Sequence, residues 1–207
     1  MTITVYGDSI SGNCLKVKWV LDRLKLTYKW VEIDVRSGVT RAQQFLAVNP
    51  VGQVPAAVLP DGRALAQSGA ILLYFAEGSD LIPADLFDRA KMFEWMFFEQ
   101  YSHEPHIAVR RFHLRYLGRR PEDLDPKLLQ RGHAALARME ATLSDGGWFA
   151  GSRLSLADVA LVAYTRMAGE GGFELGAYPR ILDWIARCEA ELGLGPYAPV
   201  DGDARVA

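Results

Sequence analysis

Three stretches of the chain collect side chains able to do chemistry. Ser11-Gly12-Asn13-Cys14 puts a hydroxyl, a carboxamide and a thiol on neighbouring positions just before an amphipathic helix pattern. Two hydrogen-bond donors beside a helix start favour an anion, because unpaired amide groups and the helix dipole both act there. The plain structural reading is that Ser11 and Asn13 cap the helix, Gly12 eases the turn and Cys14 packs as a small apolar residue. The second stretch runs from Asn49 to Ser68 and closes on Gln67-Ser68, directly before the apolar run Gly69 to Phe75. Ser68 is expected to cap that helix, whose first amide groups would hold a carboxylate or phosphate. The third, Tyr101-Ser102-His103-Glu104-Pro105-His106, sets hydroxyl, imidazole and carboxylate groups around a proline. Its residues either polarise a bound molecule or satisfy the backbone groups that Pro105 frees.

These groups must be positioned by regular elements, and the periodicity says which. Thr2 to Tyr6 alternates polar and apolar residues and reads as a first strand. Val17, Val20, Leu21 and Leu24 recur at helical spacing, with Lys16, Lys18, Asp22 and Arg23 assigned to the polar side. Thr27 to Asp34 reads as a second strand and Arg41 to Val48 as a short helix. Val54-Pro55 then opens an apolar run that Asp61-Gly62 turns back as a hairpin, Ala64 to Ala66 being the returning strand. Strand, helix, strand, helix, strand, strand, helix suits a mixed sheet with helices on its faces. Residues 78–85 read as a linker. No strand pattern follows. Leu86 to Leu117 reads as one long aromatic helix kinked at Pro105 or as two in succession, and further helices are expected over Lys127 to Leu143, Ser155 to Ala168 and Pro179 to Leu192. Gly193 to Ala207 reads as an irregular tail. In Leu154 to Val159, Ser155 and Asp158 have the spacing of a capping box, with Leu154 and Val159 as its apolar staple.

Composition narrows the function classes. The chain has 207 residues, half of them hydrophobic, which is enough for one large core or two smaller ones. A formal net charge of -2 gives no broad basic field, which argues against nucleic acid or an anionic membrane as partner. Cys14 and Cys188 form neither a metal-binding nor a Cys-x-x-Cys spacing, so free thiols in a reducing cytoplasm are expected. No signal-peptide pattern opens the chain, and no apolar run is long enough to span a bilayer.

The order Asn49-Pro50, Gly52-Gln53-Val54-Pro55, Asp61-Gly62, Gln67-Ser68 and then a helix resembles the glutathione-binding segment of the glutathione transferase superfamily. The resemblance implies a thioredoxin-like domain over residues 1–77, with a four-stranded mixed sheet and three helices, followed by an all-helical bundle domain over 86–207. It implies a cis Val54-Pro55 bond, main-chain pairing of Val54 with the cysteinyl part of glutathione, and Gln67 and Ser68 at its gamma-glutamyl end, with Gln53 and Pro55 in the same binding segment. Glutathione would be a co-substrate, no metal would be needed, and the protein would be a homodimer with a detoxifying transferase activity.

Catalysis under this resemblance requires a thiol near pKa 8.5 to ionise below neutrality. A shift of two units is about 2.7 kcal/mol. One hydrogen bond to a charged group supplies roughly 1.5–3 kcal/mol, and a helix start adds about 0.3–1 kcal/mol. The place of the Ser11 loop resembles that of the catalytic residue in serine-type members, so Ser11 is the first choice of donor and Asn13 the second. Cys14 is the alternative, since a Gly-x-Cys arrangement here resembles the cysteine-type bacterial classes. Tyr6, where a tyrosine-type residue would be sought, is assigned to packing. Tyr101, His103 and His106 are candidates for the second-substrate pocket. Two departures stand out: Gln53 is neutral near a position that often carries lysine or arginine, and Gln67 replaces a frequent glutamate. Peroxidase or disulfide reductase activity, and a non-catalytic interaction module on the same fold, are the competing readings.

Overall fold

Alternating residues in β1 (Ile3–Gly7) place Val5 fully inside, and the strand pairs in parallel with β2 (Tyr28–Glu32), Val5 opposite Trp30. Parallel neighbours need a crossover, which α1 (Gly12–Arg23) provides. On its other edge β1 pairs antiparallel with β3 (Ala56–Val58), which pairs in turn with β4 (Ala64–Ala66), giving the order β2-β1-β3-β4. The hairpin closes at Asp61-Gly62 with Gly62 at φ 87°, as that dipeptide predicts. α2 (Gln43–Leu46) is a single turn and α3 (Ser68–Ala76) follows β4. This computed structural model describes residues 2–144 and 146–198. It divides into two compact units between Ile82 and Pro83.

The second strand is shorter than its apolar run. Ile33 still donates to Gly7 O at 2.8 Å, but the Asp34 carboxylate then takes the Arg36 amide and turns the chain into a short 3-10 segment. Tyr6 packs edge-on against Phe45 at 5.9 Å, beside a small core of Ile33, Phe45 and Ala56. Lys16 departs from the amphipathic reading of α1, since it is only 1 % exposed.

The second unit holds α4 (Leu86–Phe98), α5 (Glu104–Arg115), α6 (Pro126–Thr142), α7 (Leu156–Thr165) and α8 (Pro179–Leu192). The proposed kink at Pro105 has a different cause. Pro105 lies in the first turn of α5, where a missing N–H costs nothing. The irregularity precedes it, as a π turn over Glu99–His103. Every residue of α7 is buried, in keeping with its lack of a polar face.

Carboxylates close the helix starts of this unit. Asp85 accepts from the Phe87 and Asp88 amides of α4, and Asp125 from the Lys127 amide of α6. Glu140, from α6, accepts from the Arg180 and Ile181 amides at the start of α8. At α7 the capping box forms, and Asp158 does more than the local pattern requires. Wholly buried, it accepts from Ser155 N at 2.9 Å, Ser155 Oγ at 2.8 Å, Phe149 N at 3.1 Å and Trp184 Nε1 at 2.9 Å. Burial raises its pKa and the four donors oppose that rise. Asp158→Ala should therefore leave several buried donors unmet and lower unfolding stability by at least about 2 kcal/mol. Urea unfolding followed by tryptophan fluorescence reads this directly; an unchanged midpoint would refute the bracing role.

Candidate functional site

In the first unit the structure builds one site from the β1–α1 loop and the segment that leads through β3 and β4 into α3. Ser11 is the residue before α1, in extended conformation, yet its side chain does not cap the helix. Its hydroxyl instead hydrogen-bonds to the Cys14 thiol. Cys14 is wholly buried, and that burial pushes the thiol up to about 12, with the Asp8 and Glu32 charges adding to the rise and the Asp8 backbone and Ser11 opposing it. A thiol so placed is enclosed and held toward its protonated form, which fits a packing role. Cys188 is likewise a buried free thiol raised by desolvation.

Asn13 joins the two segments. Its Oδ1 accepts from Lys16 Nζ at 2.8 Å and from Ser68 Oγ at 3.4 Å. The expectation that Ser68 caps α3 needs correction: Ser68 is the first helical residue, Gln67 occupies the capping position, and no side chain caps the start. The Ser68 hydroxyl is directed to Asn13 rather than to the first-turn amides of α3. Gln67 has φ 68° and ψ 118°, a left-handed setting rare for a residue with a Cβ, and such strain gathers at ligand-binding positions.

The approach to β3 is equally constrained. Asn49, nearly buried, donates from Nδ2 to Gln53 O at 2.7 Å and accepts the Val51 amide on Oδ1. Gly52 closes this turn at φ 68°; a Cβ there would stand 2.9 Å from both Thr40 O and Arg41 Nη1. Val54-Pro55 is cis, Pro55 is buried, and Gln53 remains exposed. Arg41 donates to Val51 O at 3.1 Å and so holds a cation at the turn that precedes Gln53. Residue spacing did not reveal it, because the 3-10 turn that carries Arg41 has no distinctive pattern.

In the second unit, Phe98, Tyr101, Pro105 and His106 line a cleft of about 610 Å³, with Arg131 and Ala134 of α6 on its other side. Tyr101 is 86 % exposed. His106 Nδ1 is buried without a hydrogen-bond partner; burial first and the Arg131 charge second lower its pKa, toward the neutral imidazole, against a small pull from the Pro105 backbone. His103 does not belong to this cleft. It is 0 % exposed, and its Nε2 lies 2.9 Å from Thr165 Oγ1. The Thr165 hydroxyl already donates to Leu161 O, so His103 Nε2 must be the donor in that pair. Among the described residues no group of three His, Cys, Asp or Glu side chains could hold a metal, and no helix is long and apolar enough to cross a membrane.

With this geometry in hand, comparison with known proteins is direct. Residues 10–77 match the model of the glutathione S-transferase N-terminal domain and residues 92–191 that of the C-terminal domain. A crystal structure of a glutathione S-transferase from Pseudomonas fluorescens superposes with TM-score 0.88 at 43% identity, covering 96% of this chain and 98% of that one. Glutathione S-transferase 3 of Zea mays is 33% identical over 75% of this chain and 73% of its own. Ure2p in complex with glutathione is more distant, at 25% identity and TM-score 0.80, over 91% of this chain and 94% of that one. A thioredoxin-like sheet followed by a helical unit is thus the fold of this family, and the chain belongs to the glutathione S-transferase superfamily.

Proposed function

We propose that the protein activates the thiol of glutathione and transfers its sulfur to an electrophilic carbon of a small molecule. The observation that carries this reading is that α1 and α3 both start without a side-chain cap while Asn13 holds the two starts together. Glutathione carries a carboxylate at each end, and the helix-start amides of α3 are suited to the gamma-glutamyl one, with Gln67 and Ser68 beside it. The Val54 main chain, set by the cis bond to Pro55, would pair with the cysteinyl peptide. Gln53 carries no charge for the glycyl carboxylate; Arg41, held at Val51 O, is placed to supply it.

In the reaction the thiol proton leaves to solvent, with Ser11 donating a hydrogen bond to the thiolate and Asn13 as second donor. The sulfur lone pair then forms the carbon–sulfur bond, and the leaving group departs with its electrons, as chloride does from chlorodinitrobenzene. Tyr101 and His106 are our candidates for the wall that meets the electrophile. The enclosed Cys14 weighs against a route through a mixed disulfide on the protein, and the two protonated, buried cysteines suit a reducing cytoplasm. An interaction module on the same fold is the competing reading.

We also propose a homodimer. Leu86 and Phe97, three turns apart on α4, are 81% and 69% exposed, an unusual display of large apolar side chains. Light scattering should give twice the chain mass of 23.0 kDa, and Phe97→Glu should return the monomer.

Retention on immobilised glutathione together with turnover of chlorodinitrobenzene tests the activity; absence of both would favour the interaction module. Ser11→Ala should lower kcat/KM about tenfold to a hundredfold, the worth of one hydrogen bond to a charged group. An undiminished Ser11→Ala enzyme would overturn that assignment. Cys14, with its thiol raised to about 12, is held protonated through the neutral and mildly alkaline range. A disulfide reagent at pH 8 should therefore find no fast-reacting thiol in the folded protein and two per chain after unfolding. Rapid labelling of Cys14 in the folded state would reopen the cysteine-type route.

A further inference from the structure

We propose that Lys16 is a positioning residue for thiol activation: it fixes the orientation of Asn13 and sets a buried positive charge behind the β1–α1 loop. This rests on the transferase reading above and deepens it. Lys16 is among the largest fully buried side chains of the chain, in a helix that also buries Cys14, Val17, Val20 and Leu21. Burying an ammonium there is costly, and a methionine or leucine would fill the same space without that cost. Packing alone does not account for a lysine.

Its contact does. A carboxamide is nearly symmetric in shape, so its oxygen and nitrogen edges are easily exchanged. An ammonium can only donate, however, so Lys16 Nζ at 2.8 Å admits only the oxygen edge of Asn13. The same oxygen takes the Ser68 hydroxyl at 3.4 Å, so the Asn13 NH₂ group is directed away from Lys16, as a donor rather than an acceptor. With the carboxamide reversed, an oxygen would face any thiolate that Asn13 serves, and repel it.

The charge matters as well. The other ionisable groups around this loop are acidic: Asp8, buried, whose Oδ1 takes the Ile10 amide, and Glu32, whose Oε1 takes the Ser9 amide. Both charges raise the thiol of neighbouring Cys14, and would raise that of a bound glutathione in the same way. Lys16 brings the opposite sign from within α1, where water screens it little.

The test is the thiol pKa of bound glutathione, followed through thiolate absorbance across a pH titration of the saturated protein. Lys16→Met keeps the length and removes both donor and charge. It should raise that pKa by about one unit, a tenfold loss of thiolate on the acid side, and move the acid limb of kcat/KM by the same amount. Lys16→Gln, which can still donate to Asn13, should recover part of the shift. A merely structural lysine would change stability and leave this pKa alone, so an unshifted value in Lys16→Met overturns the inference. Should Lys16→Met not fold, an unshifted value in Lys16→Gln together with Lys16→Leu does the same. If the wild-type protein binds glutathione without lowering its thiol pKa, the transferase reading falls with the inference; if it lowers the value and the variants do so equally, only the inference falls.

Discussion

Every α-helix begins with amide groups that no turn of its own satisfies, and the two units of this protein meet that constraint in opposite ways. In the helical unit α4, α6, α7 and α8 are each closed by a carboxylate of the chain: Asp85, Asp125, Asp158 and Glu140. In the first unit Ser11 turns to the Cys14 thiol and Ser68 to Asn13, and the N-cap side chains of α1 and α3 do not close their helices.

That division explains why polar burial is tolerated so differently across the molecule. Asp158 is enclosed by four donors from three segments, including Trp184 on α8, so its burial draws α7, α8 and the loop at Phe149 together. Phe149 in turn packs between Trp95 and Trp184, with ring centroids 4.5 Å and 5.1 Å away, which extends the same knot to α4. Lys16 and Asn13 form a smaller knot, and theirs reaches across to a neighbouring helix start.

What could be read from residues alone was what depends on near neighbours in sequence. The Asp61-Gly62 hairpin, the Ser155 to Asp158 box and the Val54-Pro55 approach to β3 are each fixed within a few positions, and the structure contains them. Lys16 was misjudged because a helical pattern assigns a charged residue to the wet side, whereas the fold covers this position and leaves Nζ to Asn13 within the same helix. His103 was misjudged because a π turn adds a residue to the helical repeat and rotates the following side chains; the imidazole then meets Thr165, 62 positions away, inside the core. Glu140 at the start of α8 and Arg41 at Val51 were not legible either, since each joins segments whose approach follows from the whole fold.

The open helix starts carry a consequence for the lifetime of the protein. A ligand held beside these starts would bind the folded chain and not the unfolded one, so part of the stability of the first unit would be held in solution rather than in the sequence. At a hundred times its dissociation constant such a ligand adds about 2.7 kcal/mol. The rate at which a cell loses this protein to unfolding would then vary with the abundance of the small molecule it binds: scarcity of the ligand would thin out its own receptor.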